Sequence, residues 1–426
     1  MSPERQAADA VVIGAGIVGV CTALHLQRTG RRVALIERDV PGAGASGHNG
    51  GVFNVGECVP TGTPGIVRSV PHMLRDPMSP LVIRYRDVPR LSPWLVRFAL
   101  ASRPQRVETI AKSLKSLTDR AMDGYEPLVR DTPAEKQIRT GGIVFAYCTE
   151  DAFRRDEFAR DLRARNGQRF NVLDDVGVGQ LDPALRGRFQ RAVHMPEPRF
   201  TPDPQVFTET LANEFVAGGG TIVHADATGF ERSFGRVDAV TTTIGPVAAD
   251  QVVIAAGAWS RRLTRRLGLD VPLDVERGYG VVLPDPGISV AMPIIVTDYH
   301  VAFRSTPAGL QVSGVDELAS VTAPPRFAVT ERLIKGARTV FPEVRVESPI
   351  RWMHQRPSMP DSLPVIGRLP RSSNVVLAFG HGHKGLGLGG ITGQLVSEIV
   401  DGQPPSVDLE PFRPTRFRLG RARSSQ

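Results

Sequence analysis

The stretch Val11–Val20, VVIGAGIVGV, decides the fold of this chain. Its apolar start has the composition of a short buried strand, and three glycines follow in the spacing G-x-G-x-x-G. Residues 17–28 then carry apolar side chains at helical spacing, and the segment VALI at 33–36 has the pattern of a second buried strand. The sequence therefore predicts a strand–turn–helix–strand unit in which the glycines form the turn.

Each glycine of this turn has its own physical role. Gly14 permits the tight turn, Gly16 lets the backbone approach a pyrophosphate, and Gly19 lets the helix pack closely on the strand. The start of the helix then faces the phosphates with its free N–H groups. Glu37, at the end of the second strand, can accept hydrogen bonds from a ribose diol, and its charge disfavours a 2′-phosphate. We therefore expect an adenine dinucleotide, either FAD or NAD, and not NADP.

The composition is that of an ordinary globular protein. Hydrophobic residues make up 41% and charged residues 23% of the 426 residues. The apolar run 10–26 is interrupted by glycine and histidine, and it is shorter than the ~20 residues that a membrane-spanning helix needs. Residues 1–9 mix acidic residues with arginine, and no small-residue cleavage site follows them. We expect neither a signal peptide nor a membrane-spanning helix.

The three cysteines, Cys21, Cys58 and Cys148, are far apart in the sequence and form no C-x-x-C pair. This spacing implies no disulfide framework and no metal site, and it suits a reducing compartment. We therefore expect a cytoplasmic protein that binds no metal.

The net charge is +8, and most of the positively charged residues are arginines. Five arginines lie in the last fourteen residues: Arg413, Arg416, Arg418, Arg421 and Arg423. Such a tail could contact nucleic acid or an anionic membrane, or it could be solvated. Arginine elsewhere forms no block of like charge, so we favour a solvated tail and expect no nucleic-acid partner. Peripheral contact with the inner face of a membrane stays open as an alternative.

Four separated motifs carry a resemblance to a known family. They are GAGIVG…ALIER near the start, VVIAAGAWS at 252–260, RPSMPDSLPVIG at 356–367 and GHGHKGLGLGGITGQLVSEIV at 380–400. In this order they resemble the superfamily of FAD-dependent D-amino acid oxidases and dehydrogenases, over essentially the whole chain. The segments SGHNGGVF and GHGHKG are most similar to the D-amino acid dehydrogenases of the small-subunit type. The resemblance implies that the dinucleotide is FAD.

The resemblance also implies the fold, which is an α/β fold with two units. A discontinuous Rossmann-type FAD-binding domain would comprise residues 1–60, 196–265 and 352–426. A substrate-binding domain, built on a mainly antiparallel β-sheet plus helices, would comprise residues 61–195 and 266–351.

The flavin contacts implied by the resemblance lie on glycine-rich segments near the starts of helices. Lys384 could add positive charge beside the flavin pyrimidine, where negative charge develops on reduction. His48 is either an ordinary loop histidine or a covalent flavin attachment point, and His381 either orders its loop or transfers a proton. The full set of cofactor candidates is Gly14, Gly16, Gly19, Glu37, Arg38, Ala45, Ser46, His48, Gly50, Ala256, Gly257, Gly380, His381, Lys384, Gly385 and Leu386.

Three residues are candidates for the substrate site. Arg356 lies in the Arg-Pro pair that carries the carboxylate-binding arginine in the family. A planar guanidinium can bind a carboxylate through two parallel hydrogen bonds. The alternative is that Arg356 forms a surface salt bridge. Tyr279 could line the pocket or bond the carboxylate, or it could be a packed core tyrosine. His383 matches a position that faces substrate in some relatives, although it could instead order the loop.

These parts predict an FAD-dependent oxidoreductase acting on CH–NH₂ or CH–NH donors. The expected reaction is oxidative deamination of a D-amino acid to a 2-oxo acid and ammonia, with hydride transfer from Cα to flavin N5 and no obligate side-chain base. A quinone, a soluble carrier or O₂ would receive the electrons. The alternative substrate is a secondary amine of the hydroxyproline, sarcosine or opine type. An RNA-modifying or non-catalytic flavin-binding protein is a more distant alternative.

Overall fold

The strands and helices are those of a computed structural model, which describes residues 8–76 and 79–417. The strands are β1 Ala8–Ile13, β2 Val33–Glu37, β3 Val52–Phe53, β4 Leu81–Ile83, β5 Ile143–Tyr147, β6 Asn171–Asp174, β7 Arg191–Met195, β8 Arg199–Phe200, β9 Thr221–His224, β10 Ala227–Ser233, β11 Arg236–Thr242, β12 Gly245–Ile254, β13 Asp274–Leu283, β14 Ile294–Val296, β15 Val301–Thr306, β16 Gly309–Leu318, β17 Ile350–Ser358, β18 Val365–Arg368 and β19 Val375–Phe379. The helices are α1 Ile17–Arg28, α2 Ile66–Arg75, α3 Val88–Ala101, α4 Pro104–Thr118, α5 Glu126–Val129, α6 Glu150–Arg155, α7 Glu157–Arg165, α8 Asp175–Leu181, α9 Pro204–Ala217, α10 Ser260–Arg266, α11 Glu331–Val340 and α12 Gly385–Val400.

A mainly parallel sheet contains the predicted strand–turn–helix–strand unit. Strands β19, β12, β1, β2 and β9 run parallel in that order, and β18, β10 and β11 add antiparallel edges. Helices α1 and α12 approach each other closely, because a Cβ on Gly393 would lie only 2.7 Å from the backbone carbon of Cys21. The predicted helix 17–28 and both flanking strands are confirmed.

A second, nine-stranded sheet is mainly antiparallel, as the resemblance implied. Its order is β17-β13-β16-β15-β14-β5-β7-β6, and β4 pairs with β16. One face of this sheet packs on α11, where Leu333, Ile334 and Ala337 join the buried cluster of Tyr279 and Val281. The other face is therefore the one available to a ligand. The α/β fold class is confirmed.

The division into a flavin unit and a substrate unit stays a prediction. Strand β17 pairs with β13 along its whole length, so residues 352–358, which the predicted boundary places in the flavin unit, belong to the antiparallel sheet. Among the described residues, no helix is both long enough and apolar enough to cross a membrane.

Only part of the arginine-rich tail lies within the described residues. Arg416 forms an ion pair with Asp361 at 2.8 Å, and both side chains are nearly buried. Arg413 pairs with Glu410, and Phe412 is fully buried. Arg418, Arg421 and Arg423 lie outside the described residues. Two of the five arginines therefore form ion pairs within the folded protein.

Candidate active site

The first glycine turn has the close contacts that its spacing predicts. Gly14 has φ +104°, and a Cβ on it would lie 2.7 Å from the carbonyl oxygen of Ala255. A Cβ on Gly19 would lie only 1.8 Å from the carbonyl oxygen of Gly14, so α1 packs directly on the turn. Gly16 is the N-cap of α1 and supplies no side-chain cap, which leaves N–H groups at the helix start for an anion.

Glu37 and Ser46 hold this turn in place. One carboxylate oxygen of Glu37 accepts a hydrogen bond from Ala15 N at 2.7 Å, and the other accepts from Arg38 N and Asp39 N. A carboxylate offers about four acceptor positions, so one remains for a ribose hydroxyl. Ser46 Oγ accepts from Ile17 N at 2.9 Å. The turn is thus organised by the neighbouring loop before any ligand binds.

A single cavity of about 610 Å³, here called the central cleft, extends from this turn to the antiparallel sheet. Most of the cofactor candidates line it. The lining candidates are Gly14, Gly16, Glu37, Arg38, Ala45, Ser46, Gly50, Ala256, Gly257, Gly380, His381, Gly385 and Leu386. Helix α12 also starts at this cleft without a side-chain cap, as α1 does. Two uncapped helix starts and a cleft of this size fit FAD.

Three cofactor candidates lie outside the lining of the central cleft. Gly19 is used for packing, as described above. His48 packs against the ring of Trp352 at 5.4 Å. Lys384 is buried and donates a hydrogen bond from Nζ to the carbonyl oxygen of Val59 at 3.0 Å; burial lowers its pKa, while Glu57 opposes this shift. The structure therefore does not bring Lys384 or His48 to the cleft.

Strand register explains which residues of the antiparallel sheet reach the ligand side. Glu276 of β13 stands opposite Arg356 of β17, and Gly278 stands opposite His354. Opposite residues of an antiparallel pair project to the same face, and residues two apart on one strand share a face. Gly278 leaves room for the guanidinium, because a Cβ on it would lie 2.5 Å from Arg356 Cζ.

Arg356 lines the central cleft with its side chain only 13% exposed. Its Nη1 donates to the carboxylate of Asp316, which also lines the cleft. Burial lowers the pKa of Arg356 to about 10, against the opposing effect of Glu276, so the group stays cationic at neutral pH. A nearly buried guanidinium with open donors is suited to bind a carboxylate bidentately.

His383 also lines the cleft, and the structure pairs it with a residue that sequence reasoning missed. Its Nε2 donates to the carboxylate of Glu276 at 2.7 Å. Burial lowers the pKa of His383, the charge of Arg356 lowers it further, and Glu276 opposes both effects. Burial alone would raise the pKa of Glu276, but its bond to His383 and the nearby charges hold it below its usual value. The sequence signal that could have found Glu276 is a carboxylate at the start of the ERGYG segment, on β13.

Tyr279 lies on the other face of the same strand. It is fully buried, donates from its hydroxyl to Glu317 at 2.8 Å and accepts from Arg326 N at 3.0 Å. Arg277, which is also fully buried, pairs with the same carboxylate at 3.0 Å. The structure thus places Tyr279 in the core behind the sheet, outside the lining of the central cleft. The reason is its odd spacing from Glu276, which turns the side chain to the opposite face.

His381 and His354 are two of the further histidines that line the cleft, and burial keeps both neutral at pH 7. His381 shares a hydrogen bond of 3.0 Å with Thr392 Oγ1, and burial lowers its pKa to about 3. This hydrogen bond joins the loop to α12, and the choice between the two sequence interpretations of His381 stays a prediction. His354 stacks on Trp352 at 5.1 Å, and burial lowers its pKa to about 3 as well. His354 and Asp316 were not identified from the sequence.

A Rossmann-type glycine turn, a second uncapped helix start and a buried arginine in one cleft fit a flavin-dependent oxidoreductase. The comparison with known families agrees. Residues 9–399 match the model of the DAO family, described as FAD dependent oxidoreductase, and the chain belongs to that family. FAD is therefore its cofactor.

Individual proteins are similar over nearly the full length. The chain is 36% identical over 413 residues to a D-amino-acid oxidase of Bradyrhizobium diazoefficiens, covering 95% of this chain and 98% of that protein. It is 26% identical over 415 residues to a D-amino acid dehydrogenase of Rhizobium rhizogenes, covering 95% and 99%. The crystal structure of glycine oxidase from Geobacillus kaustophilus has the same fold, with a TM-score of 0.72, 19% identity and coverage of 96% and 98%.

Proposed function

We propose that this protein catalyses the FAD-dependent oxidative deamination of a D-amino acid to a 2-oxo acid and ammonia. The observation that carries the proposal is Arg356. Its guanidinium is nearly buried, cationic and exposed to the central cleft, on the sheet face that lies across from the 380–386 loop. The similarity to a D-amino-acid oxidase over 95% of the chain supports the substrate class.

The chain's own residues bind and orient the substrate. Arg356 would bind the α-carboxylate of the substrate. The substrate carboxylate would replace part of the contact between Arg356 and Asp316. Gly278 and the flat sheet surface allow the guanidinium to lie against the strand, so the carboxylate position is fixed by packing. When bound, FAD supplies a two-electron acceptor for the hydride that leaves Cα. The resulting imine hydrolyses in water.

The test is an anaerobic reduction experiment with the purified holoenzyme. Bleaching of the flavin band near ~450 nm by D-amino acids, and not by their L-enantiomers, is the expected result. The panel should include D- and L-proline derivatives and N-methyl amines, because reduction by these compounds alone would indicate the secondary-amine alternative. A flavin that no member of the panel reduces would refute the proposed reaction.

Variants of Arg356 test the observation itself. Arg356→Ala removes the cation, and Arg356→Lys keeps a charge but loses the bidentate geometry. Loss of a buried charged pair costs ~2–5 kcal/mol, so we expect KM for the amino acid to rise at least ~30-fold in Arg356→Ala. A change of only ~2-fold with kcat intact would show that another group binds the carboxylate.

The electron acceptor and its location form a further part of the proposal. A quinone, a soluble carrier or O₂ would receive the electrons, and a quinone would require contact with a membrane. Because Arg413 and Arg416 are paired within the fold, Arg418, Arg421 and Arg423 would make such a contact. Removing residues 418–426 should then abolish co-sedimentation with anionic vesicles while flavin reduction by substrate is retained. Unchanged co-sedimentation would exclude the tail as the contact.

A further inference from the structure

The hydrogen-bonded pair of Glu276 and His383 is not part of the carboxylate contact proposed for Arg356, and its geometry indicates a separate task. Glu276 is 7% exposed and lies behind His383, outside the lining of the central cleft. His383 lines the cleft, and its side chain is 35% exposed. A buried carboxylate therefore supports a histidine that a substrate can touch.

The hydrogen bond between these two residues fixes the tautomer of the histidine. A carboxylate only accepts hydrogen bonds, so the 2.7 Å bond requires that His383 Nε2 carry the proton. The neutral ring then has its lone pair on Nδ1. Within residues 8–76 and 79–417, no group forms a hydrogen bond with Nδ1. His383 thus presents an unoccupied proton acceptor beside the cleft.

Burial, helped by two nearby cations, lowers the pKa of His383 and favours the neutral ring, while Glu276 opposes this shift. Arg356 on β17 and Lys384 on the same turn disfavour the imidazolium, and the neighbouring His354 is neutral. Glu276 on β13 is the one carboxylate in contact with the ring among the described residues. A neutral histidine with a buried carboxylate partner is the arrangement of a general base with its orienting group.

We propose that His383 Nδ1 accepts the ammonium proton of the bound amino acid, and that Glu276 is the positioning residue that orients the ring. This inference rests on the proposed function. The amino group must be neutral before hydride can leave Cα, yet amino groups are mostly protonated at neutral pH. In this step one N–H bond of the ammonium breaks and an Nδ1–H bond forms, with no transfer of electrons. The positive charge passes to the imidazolium, which Glu276 neutralises.

The rate at different pH values distinguishes this role from a structural one. In the wild-type holoenzyme, kcat/KM should fall at acidic pH as His383 becomes protonated. In His383→Gln only the minor neutral-amine form of the substrate can react, so kcat/KM should be ~100-fold lower at pH 7 and rise ~10-fold per pH unit. The variant should approach the wild type at about pH 10, where the substrate amine is already deprotonated. Glu276→Gln should shift the acidic limb of the wild-type profile to lower pH.

A binding measurement keeps the test independent of turnover. Benzoate has a carboxylate but no amine, and its dissociation constant can be followed by the change in flavin absorbance. His383→Gln and Glu276→Gln should retain FAD and bind benzoate within ~2-fold of the wild type. Loss of FAD or of benzoate binding would show that the pair is structural and would overturn the proposal.

The outcomes separate failure of this inference from failure of the proposed function. If D-amino acids do not reduce the wild-type flavin, the proposed function is wrong. If they do, but His383→Gln keeps the wild-type rate at pH 7 or loses activity equally at every pH, the proton-acceptor role is wrong and the proposed function stands.

Discussion

Replacing Gly278 with alanine should damage substrate binding without disturbing the fold. The new Cβ would lie 2.5 Å from Arg356 Cζ, whereas ordinary contacts begin at 3.4 Å, so the guanidinium must retreat by about 0.9 Å. Gly278 lies in a regular strand and is not among the glycines with positive φ, so alanine causes no backbone strain there. A displacement of about 1 Å at a binding group can cost ~100-fold, or ~2.7 kcal/mol.

The assay is steady-state kinetics of the holoenzyme with a D-amino acid, together with thermal unfolding. We expect kcat/KM of Gly278→Ala to fall ~100-fold, mainly through KM, while FAD content is unchanged. The matched control is Tyr279→Phe, one residue along the strand on the opposite face. It removes a hydrogen bond to Glu317 and should cost ~1–2 kcal/mol of folding stability but leave KM unchanged.

The opposite pattern would refute the assignment of faces. If Tyr279→Phe raised KM while Gly278→Ala did not, the tyrosine would contact the substrate and the arginine would not be the carboxylate ligand. If both variants lost activity only in proportion to lost folded protein, neither face of β13 would determine binding.

Three further predictions concern stability and cofactor retention. Gly19→Ala should abolish FAD retention, because the new Cβ would lie 1.8 Å from the Gly14 carbonyl oxygen and would separate α1 from the turn. FAD content is measured by the absorbance of the purified protein, and a normal content would contradict this packing. Glu317→Ala should reduce the free energy of unfolding, measured in urea, by ~3–5 kcal/mol, because it leaves the fully buried Arg277 without its carboxylate partner. A reduction of the unfolding free energy by less than ~1 kcal/mol would contradict the pairing. Burial lowers the pKa of His25 to about 4, below its ordinary 6.5, so the unfolded chain binds a proton that the folded chain does not. Stability should therefore fall between about pH 6.5 and pH 4, by ~1.4 kcal/mol per pH unit from this residue, and His25→Gln should lessen that slope in urea unfolding at each pH.

The dinucleotide unit could be predicted from the sequence because its signals are local. The glycine spacing, the buried strands, the helix stop and Glu37 all fall within residues 10–37, and each depends on backbone conformation or on near neighbours. Arg356 was identified by the resemblance of its motif. Its place in the cleft agrees with that expectation, although its binding role stays a prediction that kinetics must test.

The pairing of Glu276 with His383 could not be predicted, because the two residues are 107 positions apart. Nothing in the local pattern of either segment specifies the other. The contact of Lys384 could not be predicted either, because its partner is also distant in the sequence. The charge of Lys384 and its position in a glycine-rich loop suggested a contact with the flavin, but its side chain donates to the carbonyl oxygen of Val59. Contacts between distant segments depend on how the sheets and loops pack.

The sequence by itself determined that the chain has a Rossmann-type turn, an α/β fold and an arginine suited to a carboxylate. Once the structure shows that Glu276 and Tyr279 belong to one strand, the alternation of side chains puts them on opposite faces. Only the tertiary structure decided which face lines the central cleft. Helix α11 covers the face that carries Tyr279, and the register of β13 with β17 places Glu276 beside Arg356 on the other face. Alternation assigns residues to two faces, and packing of the rest of the chain decides which face stays open.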